Sequence, residues 1–268
     1  MAIASTDGAG ADGDRRKTVI VTGGATSVGL AIARRFLAGG YQVHIVDLNG
    51  EAVTAALAEH KGLSGSLTDV SDPMAVERAV VEAREAFSGR IDVLVNNVGV
   101  AGARKPIEDI PYNEWDACLR ANVSGAFFFI KNVTPDMKQA RSGAIINISS
   151  GSVKTNPKNR ADYNVSKGAL EQLTASLAPE LGPFGIRCNT VRPGMVNNKR
   201  MMTILHGLAE KSGQSVAALE AEFLTYISMR TKIEPSELAE CCWYLASDGA
   251  RHVTGQMISV CGNIEWEG

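Results

Sequence analysis

Residues 18–30 read TVIVTGGATSVGL. The first five form a short apolar run of the kind buried in a parallel sheet. Gly23, Gly24, Ala25, Thr26 and Ser27 follow as a loop of small residues, and beyond Val28, Gly29 and Leu30 the chain takes up a helical pattern through 31–37. A strand, a glycine loop and a helix start in this order let backbone N–H groups face a pyrophosphate. The loop departs from the GxGxxG spacing, so taken alone it equally reads as an ordinary strand-to-helix turn.

The same alternation continues outward from this stretch. Further apolar runs are YQVHIVD (41–47), GLSGSL (62–67), DVLVNN (92–97), AIINIS (144–149), IRCNTV (186–191) and QMISV (256–260). The middle runs lack clean alternation, as expected where helices cover both faces of a sheet. Segments 73–87, 115–139, 161–181 and 235–247 carry apolar residues at spacings of three and four, the helical period. The pattern predicts a single-domain α/β fold of the Rossmann type, a doubly wound parallel sheet of about seven strands with helices on both faces, spanning 17–268. One interval breaks the rhythm: an insertion around 195–232 has no strand pattern and includes the helical-looking AALEAEFLTYI (217–227). After the carboxyl end of a strand it reads as a substrate lid, or as a helical hairpin used in packing or subunit contact.

At 268 residues and 45% hydrophobic, the chain can bury one large core. A net charge of -2 and the lack of a long basic run argue against nucleic acid or a membrane surface as partner, leaving a small-molecule substrate. The cysteines, Cys118, Cys188, Cys241, Cys242 and Cys261, are odd in number and lack CxxC or Cys/His spacing, so neither a disulfide framework nor a metal site is expected. Residues 1–14, MAIASTDGAGADGD, are small, polar and acidic, and 1–16 read as a disordered N-terminal tail. No stretch approaches the roughly 18 apolar residues of a membrane helix, and the expected location is the cytoplasm.

Asp47 ends the second apolar run, near the offset of about 20 residues past the glycine loop at which an acidic side chain accepts hydrogen bonds from the adenosine ribose. Its carboxylate would repel a 2′-phosphate. Leu48 follows it and the glycine loop holds no Arg or Lys, so NAD is preferred over NADP as cofactor. The following Asn49-Gly50 also allows Asp47 to be a turn residue.

Tyr163 and Lys167 lie at i and i+4 in a helical stretch and can share a face. A phenol with an ordinary pKa near 10 is a poor acid and base at neutral pH, and a nearby ammonium pulls that value toward the working range. Ser150 ends the fifth apolar run, on the side where the glycine loop emerges, and can hold a substrate oxygen beside Tyr163. Asn122 is a mediocre helix former inside a helical run, able to redirect a backbone bond, hold water in a proton path, or simply pack.

From Thr18 to Gly262 the chain resembles the short-chain dehydrogenase/reductase family. The matching pieces are the TGGATSVG loop, Asp69-Val70, Asn96-Asn97-Val98-Gly99, Asn122-Val123-Ser124-Gly125, Ile148-Ser149-Ser150, Tyr163-Asn164-Val165-Ser166-Lys167, Pro193-Gly194 and Val253-Thr254-Gly255-Gln256. The resemblance implies a catalytic tetrad of Asn122, Ser150, Tyr163 and Lys167. Tyr163 is then the acid/base, Ser150 orients the substrate oxygen, Lys167 also binds the nicotinamide ribose, and Asn122 supports a proton-relay water. It further implies cofactor contacts from Gly23, Ser27, Val28 and Gly29, from Asp47 and Leu48, from Asp69 and Val70 at the adenine, and from Asn97 and Gly99 near the ribose. Pro193, Gly194, Val196 and Asn198 are implied against the nicotinamide carboxamide. A homodimer or homotetramer is implied, with the helices of Asn122 and Tyr163 between subunits.

The chain departs from the family pattern in three places. Ser27 stands where a middle glycine is usual, adding a side chain where backbone approaches phosphate closely. Asn198 replaces a common Thr after Pro-Gly, and Val260-Cys261-Gly262-Asn263 replaces the usual Asp and second Gly. Cys261 reads as a packing residue, since no base is placed beside it.

For the substrate, Lys154, Lys158 and Arg160 in the loop before Tyr163 are opposed only by Asp162, and Lys199 and Arg200 follow Pro193-Gly194. A cleft lined by one sign of charge attracts the other. A small anionic substrate such as a hydroxy acid, sugar acid or sulfonate is therefore expected, contacted by Ser150, Arg160, Lys199, Arg200 and His206. His206, Met201 and Met202 equally suit an apolar pocket for a neutral sugar or aromatic alcohol. The leading reading is an NAD-dependent dehydrogenase acting on CH–OH groups. Its rivals are an NADPH-dependent ketone or 3-oxoacyl reductase and a catalytically silent dinucleotide-binding protein.

Overall fold

A computed structural model describes residues 15–264 of the chain. Most of the tail expected at 1–16 lies outside them. Arg15, assigned to that tail by the sequence, instead pairs with Asp92 at 2.7 Å.

In chain order the elements are β1 (Thr18–Thr22), α1 (Ser27–Ala38), β2 (Gln42–Asp47), α2 (Gly50–Glu59), β3 (Leu63–Leu67), α3 (Pro73–Phe87), β4 (Val93–Asn96), α4 (Tyr112–Leu119), α5 (Gly125–Ala140) and β5 (Gly143–Ile148). They continue with α6 (Ser152–Thr155), α7 (Ala161–Leu181), β6 (Ile186–Pro193), α8 (Lys199–Ser212), α9 (Val216–Thr225), α10 (Pro235–Ala246) and β7 (Met257–Val260). Every pairing is parallel. The sheet order is β3-β2-β1-β4-β5-β6-β7, so the direction of winding reverses between β1 and β4. This reversal opens a crevice at the carboxyl ends of those strands, the place where such sheets bind ligands.

Alternate side chains of each strand feed opposite faces. Val19 and Val21 of β1 pack with Phe36 of α1, Val53 of α2 and Leu238 of α10. Ile20 packs on the other face with Val80 of α3 and with Phe129 and Met137 of α5. A separate small cluster of Met195, Leu205, Leu219 and Ile227, with Met201 and Met202 against it, belongs to α8, α9 and their flanks. The two methionines thus pack inside the insertion.

Three elements differ from the sequence pattern. Helix α2, which the periodic segments lacked, starts after Asn49, because the Asn49 side chain accepts the Ala52 N–H at 3.0 Å and caps the helix, while Asp47 accepts the Asn49 N–H as a turn residue does. The single helix expected at 115–139 is interrupted by a π-turn at Arg120–Ser124. The insertion holds α8 as well as the helix suggested by 217–227.

Phe129 is completely buried. Phe129→Ala is expected to cost about 3–5 kcal/mol, read as a lower denaturant midpoint with an unchanged slope.

Candidate active site

Thr22, at the end of β1, starts the glycine loop, and its hydroxyl accepts the Asn97 N–H at 3.0 Å across the crevice. Asn97 in turn donates its side-chain amide to the Thr22 and Gly23 carbonyls, each at 3.1 Å. Gly23 has φ +60, and a Cβ on Gly29 would overlap the Gly23 carbonyl. The loop is therefore wrapped so tightly over the start of α1 that no side chain fits there. Val28 packs against the sheet core.

Ser27 takes the position of the usual glycine with φ +49, a left-handed backbone that a residue with a Cβ adopts only at a cost. Its hydroxyl accepts the Asn198 amide at 3.1 Å, while the Asn198 carbonyl oxygen caps α8 by accepting the Met201 N–H at 2.9 Å.

At the end of β2, Asp47 accepts backbone N–H groups from Ala25 and Asn49, each at 3.1 Å. A carboxylate has about four acceptor positions, so capacity remains for ribose hydroxyls. Leu48 is exposed beside it. Asp69 accepts the Ser71 N–H at 2.8 Å and hydroxyl at 2.7 Å, and Val70 is buried against Gly125. Across the crevice, the Pro193 carbonyl accepts the Gly151 N–H at 2.8 Å, and Gly194 donates to the Val260 carbonyl at 2.9 Å. Val196 is buried and bridges to Ile233. A loop that a Cβ would fill, a helix start behind it and an acidic acceptor at the neighbouring strand fit a nicotinamide dinucleotide.

Tyr163 and Lys167 stand one turn apart on α7, both buried. The Lys167 ammonium donates to the Ile148 carbonyl at 2.8 Å, leaving two of its three donors. A Cβ on Gly99 would stand 3.0 Å from that nitrogen, so glycine keeps the ammonium reachable. The Ser150 hydroxyl acts on the Tyr163 phenol in the sense that favours its ionised form, and it accepts the Ser152 N–H at 3.2 Å. Burial opposes ionisation of the phenol, but the charges of Lys167 and Arg200, the Ser150 hydroxyl and Arg160 outweigh it and bring the phenol below its ordinary pKa. Burial likewise pushes the Lys167 ammonium down, partly countered by Tyr163.

Asn122 sits in the π-turn, the kind of bulge that re-aims a side chain. Its amide donates to Ser166 at 2.9 Å and to the Val100 carbonyl at 3.2 Å, and its oxygen accepts the Val100 N–H at 2.7 Å. Ser166 passes the connection to the Tyr163 carbonyl at 2.8 Å. The amide of Asn122 is thus engaged by protein groups and ties the loop after β4 to α7.

Of the residues proposed for the substrate, Arg160 and Arg200 reach Tyr163. Their guanidinium carbons lie 4.2 Å and 5.9 Å from its ring centre, and Arg200 also donates to the Gly99 carbonyl at 2.8 Å. Lys199 and His206 are exposed; His206 follows the buried Leu205, and the helical period turns it outward. Asp162, expected to oppose the basic loop, is fully buried and accepts the Ala103 and Tyr163 N–H groups at 2.7 Å and 2.8 Å.

Sequence reasoning missed three residues here. Glu171 accepts the Ser149 hydroxyl and the Arg192 guanidinium, both at 2.7 Å, and Ser149 Oγ lies 3.2 Å from the Lys167 carbonyl. Arg104, in the loop after β4, faces Arg160, Arg200 and Tyr163. The position of Glu171, one turn after Lys167, was the only available signal. Cys261 is buried on the backbone of Gly194, as a packing residue would be.

In sequence and fold the chain is similar to known proteins. Residues 23–262 match a family model described as enoyl-(acyl carrier protein) reductase. A 2-(R)-hydroxypropyl-CoM dehydrogenase of Xanthobacter autotrophicus is 33% identical over 253 residues, covering 92% of this chain and 97% of that protein. The structure of an NAD+-bound xylitol dehydrogenase superposes with a TM-score of 0.86 at 28% identity, covering 92% of this chain and 98% of that one. An actinorhodin polyketide ketoreductase with NADPH gives 0.88 at 29% identity, covering 92% and 96%.

Removing Arg200 takes away one of the charges that favour the phenolate. Arg200→Ala should move the ionisation of Tyr163 to higher pH, read as the tyrosinate absorbance change that Tyr163→Phe abolishes.

Proposed function

Since the chain belongs to the short-chain dehydrogenase/reductase family, oxidoreductases that act on alcohols and ketones with a nicotinamide dinucleotide, we propose that it is an NAD-linked dehydrogenase for a small anionic or sugar-derived substrate. The observation that carries this reading is the buried Tyr163 phenol, held below its ordinary pKa between Lys167 and Ser150.

In this reading a bound nicotinamide would supply the hydride acceptor or donor. Ser150 holds the substrate oxygen, and Tyr163 Oη takes the hydroxyl proton in oxidation or returns it in reduction. Lys167 keeps the phenol acidic and offers its remaining donors to the nicotinamide ribose and to proton exchange. Asn122 positions this group through Ser166 and Val100. The glycine loop with Ser27, the Asp47 and Leu48 pair, Asp69 and Val70, Asn97 and Gly99, and Pro193 to Asn198 form the cofactor's binding surface. The insertion carrying α8 and α9 covers the substrate side.

Asp47 supports NAD: both of its oxygens are fixed at the end of β2, where a 2′-phosphate would meet a negative charge. The second reading, an NADPH-dependent ketone reductase, draws support from the likeness to the NADPH-bound ketoreductase. A silent dinucleotide-binding protein has no use for an assembled tetrad. The half-exposed Phe127 of α5 and Val165 of α7 support a homodimer or homotetramer packed through these helices, and a monomer mass by light scattering would remove that part.

The test is NADH formation, followed by absorbance, with a panel of small hydroxy acids and sugars. Tyr163→Phe should abolish turnover and leave NAD binding intact. Asp47→Ser combined with Leu48→Arg should shift the NAD-to-NADP ratio of kcat/KM by about 100-fold toward NADP; a wild-type enzyme that already prefers NADPH would overturn the cofactor assignment.

A further inference from the structure

We infer that Arg104, Arg160 and Arg200 together hold the acid head of the substrate, a tetrahedral oxyanion of the sulfonate or phosphonate class, beside the Tyr163 phenol. The inference rests on the reading of Tyr163 as the proton carrier and adds to it the chemical class of the substrate.

The three arginines come from separate segments: the loop after β4, the residue preceding α7 and the first turn of α8. Arg160 lies against the face of the Tyr163 ring and Arg200 stands farther off the same ring. Arg104 interacts electrostatically with Arg200, with Arg160 and with the phenol. Its placement is enforced: its backbone is left-handed at φ +54, and the preceding Ala103 N–H is clamped by the buried Asp162 carboxylate.

Like charges brought together and partly removed from water repel one another. Burial is the main cause that pushes both Arg104 and Arg160 below the usual guanidinium value, with their neighbouring arginines adding to it. Among the described residues none of the three forms an ion pair with a carboxylate. Asp162, whose charge acts on Arg160, is occupied by backbone N–H groups. Arg104 Nη2 and Arg160 Nε are buried with no hydrogen-bond partner among the described residues, and a buried donor left unmade is costly. Among the described residues, of the three only Arg200 has a protein acceptor, the Gly99 carbonyl on Nη1.

Convergent, unsatisfied guanidinium donors call for an anion. A carboxylate offers two oxygens in one plane, whereas a sulfonate or phosphonate offers three oxygens pointing in different directions. Donors arriving from three chain segments match the second shape. The acid head then lies beside the phenol, which places the reacting carbinol a short distance along the same small molecule and leaves the exposed Lys199 and His206 outside the contact.

The experiment uses the full chain and simple probes. Thermal melting is followed against sodium methanesulfonate, methylphosphonate and acetate, with chloride holding ionic strength constant. A ligand that binds the folded state raises Tm, and methanesulfonate or methylphosphonate should do so at a concentration about tenfold below that of acetate. Arg104→Met and Arg160→Met should lose the rise while keeping wild-type NAD affinity. Arg200→Met, at the exposed side, serves if either of the others fails to fold.

In turnover, Arg104→Met should raise KM for 2-hydroxypropane-1-sulfonate by about tenfold or more and leave KM for butan-2-ol unchanged. Acetate protecting as well as methanesulfonate, or arginine variants that keep the protection, would overturn the inference. Failure of every alcohol to reduce NAD would instead remove the dehydrogenase reading, with the melting data still deciding the arginine site.

Discussion

Lys167 places an ammonium where water scarcely reaches it, and an unpaired charge in such a position costs several kcal/mol. Its surroundings in the crevice serve to make that charge tolerable. The Ile148 carbonyl at the end of β5 accepts one of its donors, Tyr163 lies one turn before it, and Gly99 stays free of a side chain above it. Behind it, the Glu171 carboxylate on the same helix accepts from Ser149 just past β5 and from Arg192 on β6. The carboxyl ends of β5 and β6 and helix α7 are thereby locked at the separation that the phenol and ammonium require. Shifting the phenol's ionisation and anchoring the helix are two results of the same buried cation.

The strands were legible because a parallel sheet covered on both faces requires unbroken apolar runs, and each of the seven runs became a strand. Tyr163, Lys167 and Ser150 were legible from spacing and strand ends. Other features were not. Asn49-Gly50 suits a turn and a helix start alike, and here the turn at Asp47 leads directly into the helix that Asn49 caps. A π-turn adds a residue without altering composition, so the break at Asn122 left no mark. Arg104 owes its aim to a left-handed backbone, a conformation that an arginine does not announce, and Glu171 with Arg192 pairs through space across helix and strand.

Two departures from the family pattern are one feature in three dimensions. Ser27 and Asn198, far apart in the chain, hydrogen-bond to each other, and Asn198 also caps α8. Two residues further on, Arg200 reaches back to the Gly99 carbonyl. The first turn of α8 is therefore fastened to the loops after both β1 and β4, the two sides of the crevice at which the sheet reverses. A glycine at position 27 would relax the strained backbone there and also release one of these fastenings.

The insertion buries its own apolar side chains, Leu205, Leu219 and Ile227 among them, in a cluster apart from the two faces of the sheet. Mutations within that cluster draw on its own packing and leave the strands and the tetrad nearly undisturbed. With the insertion covering the substrate side as proposed, substrate preference can drift under selection while the residues proposed to handle the proton stay fixed. Such a division lets one ancestral catalyst diversify into enzymes for chemically different molecules without passing through unfolded or inactive intermediates.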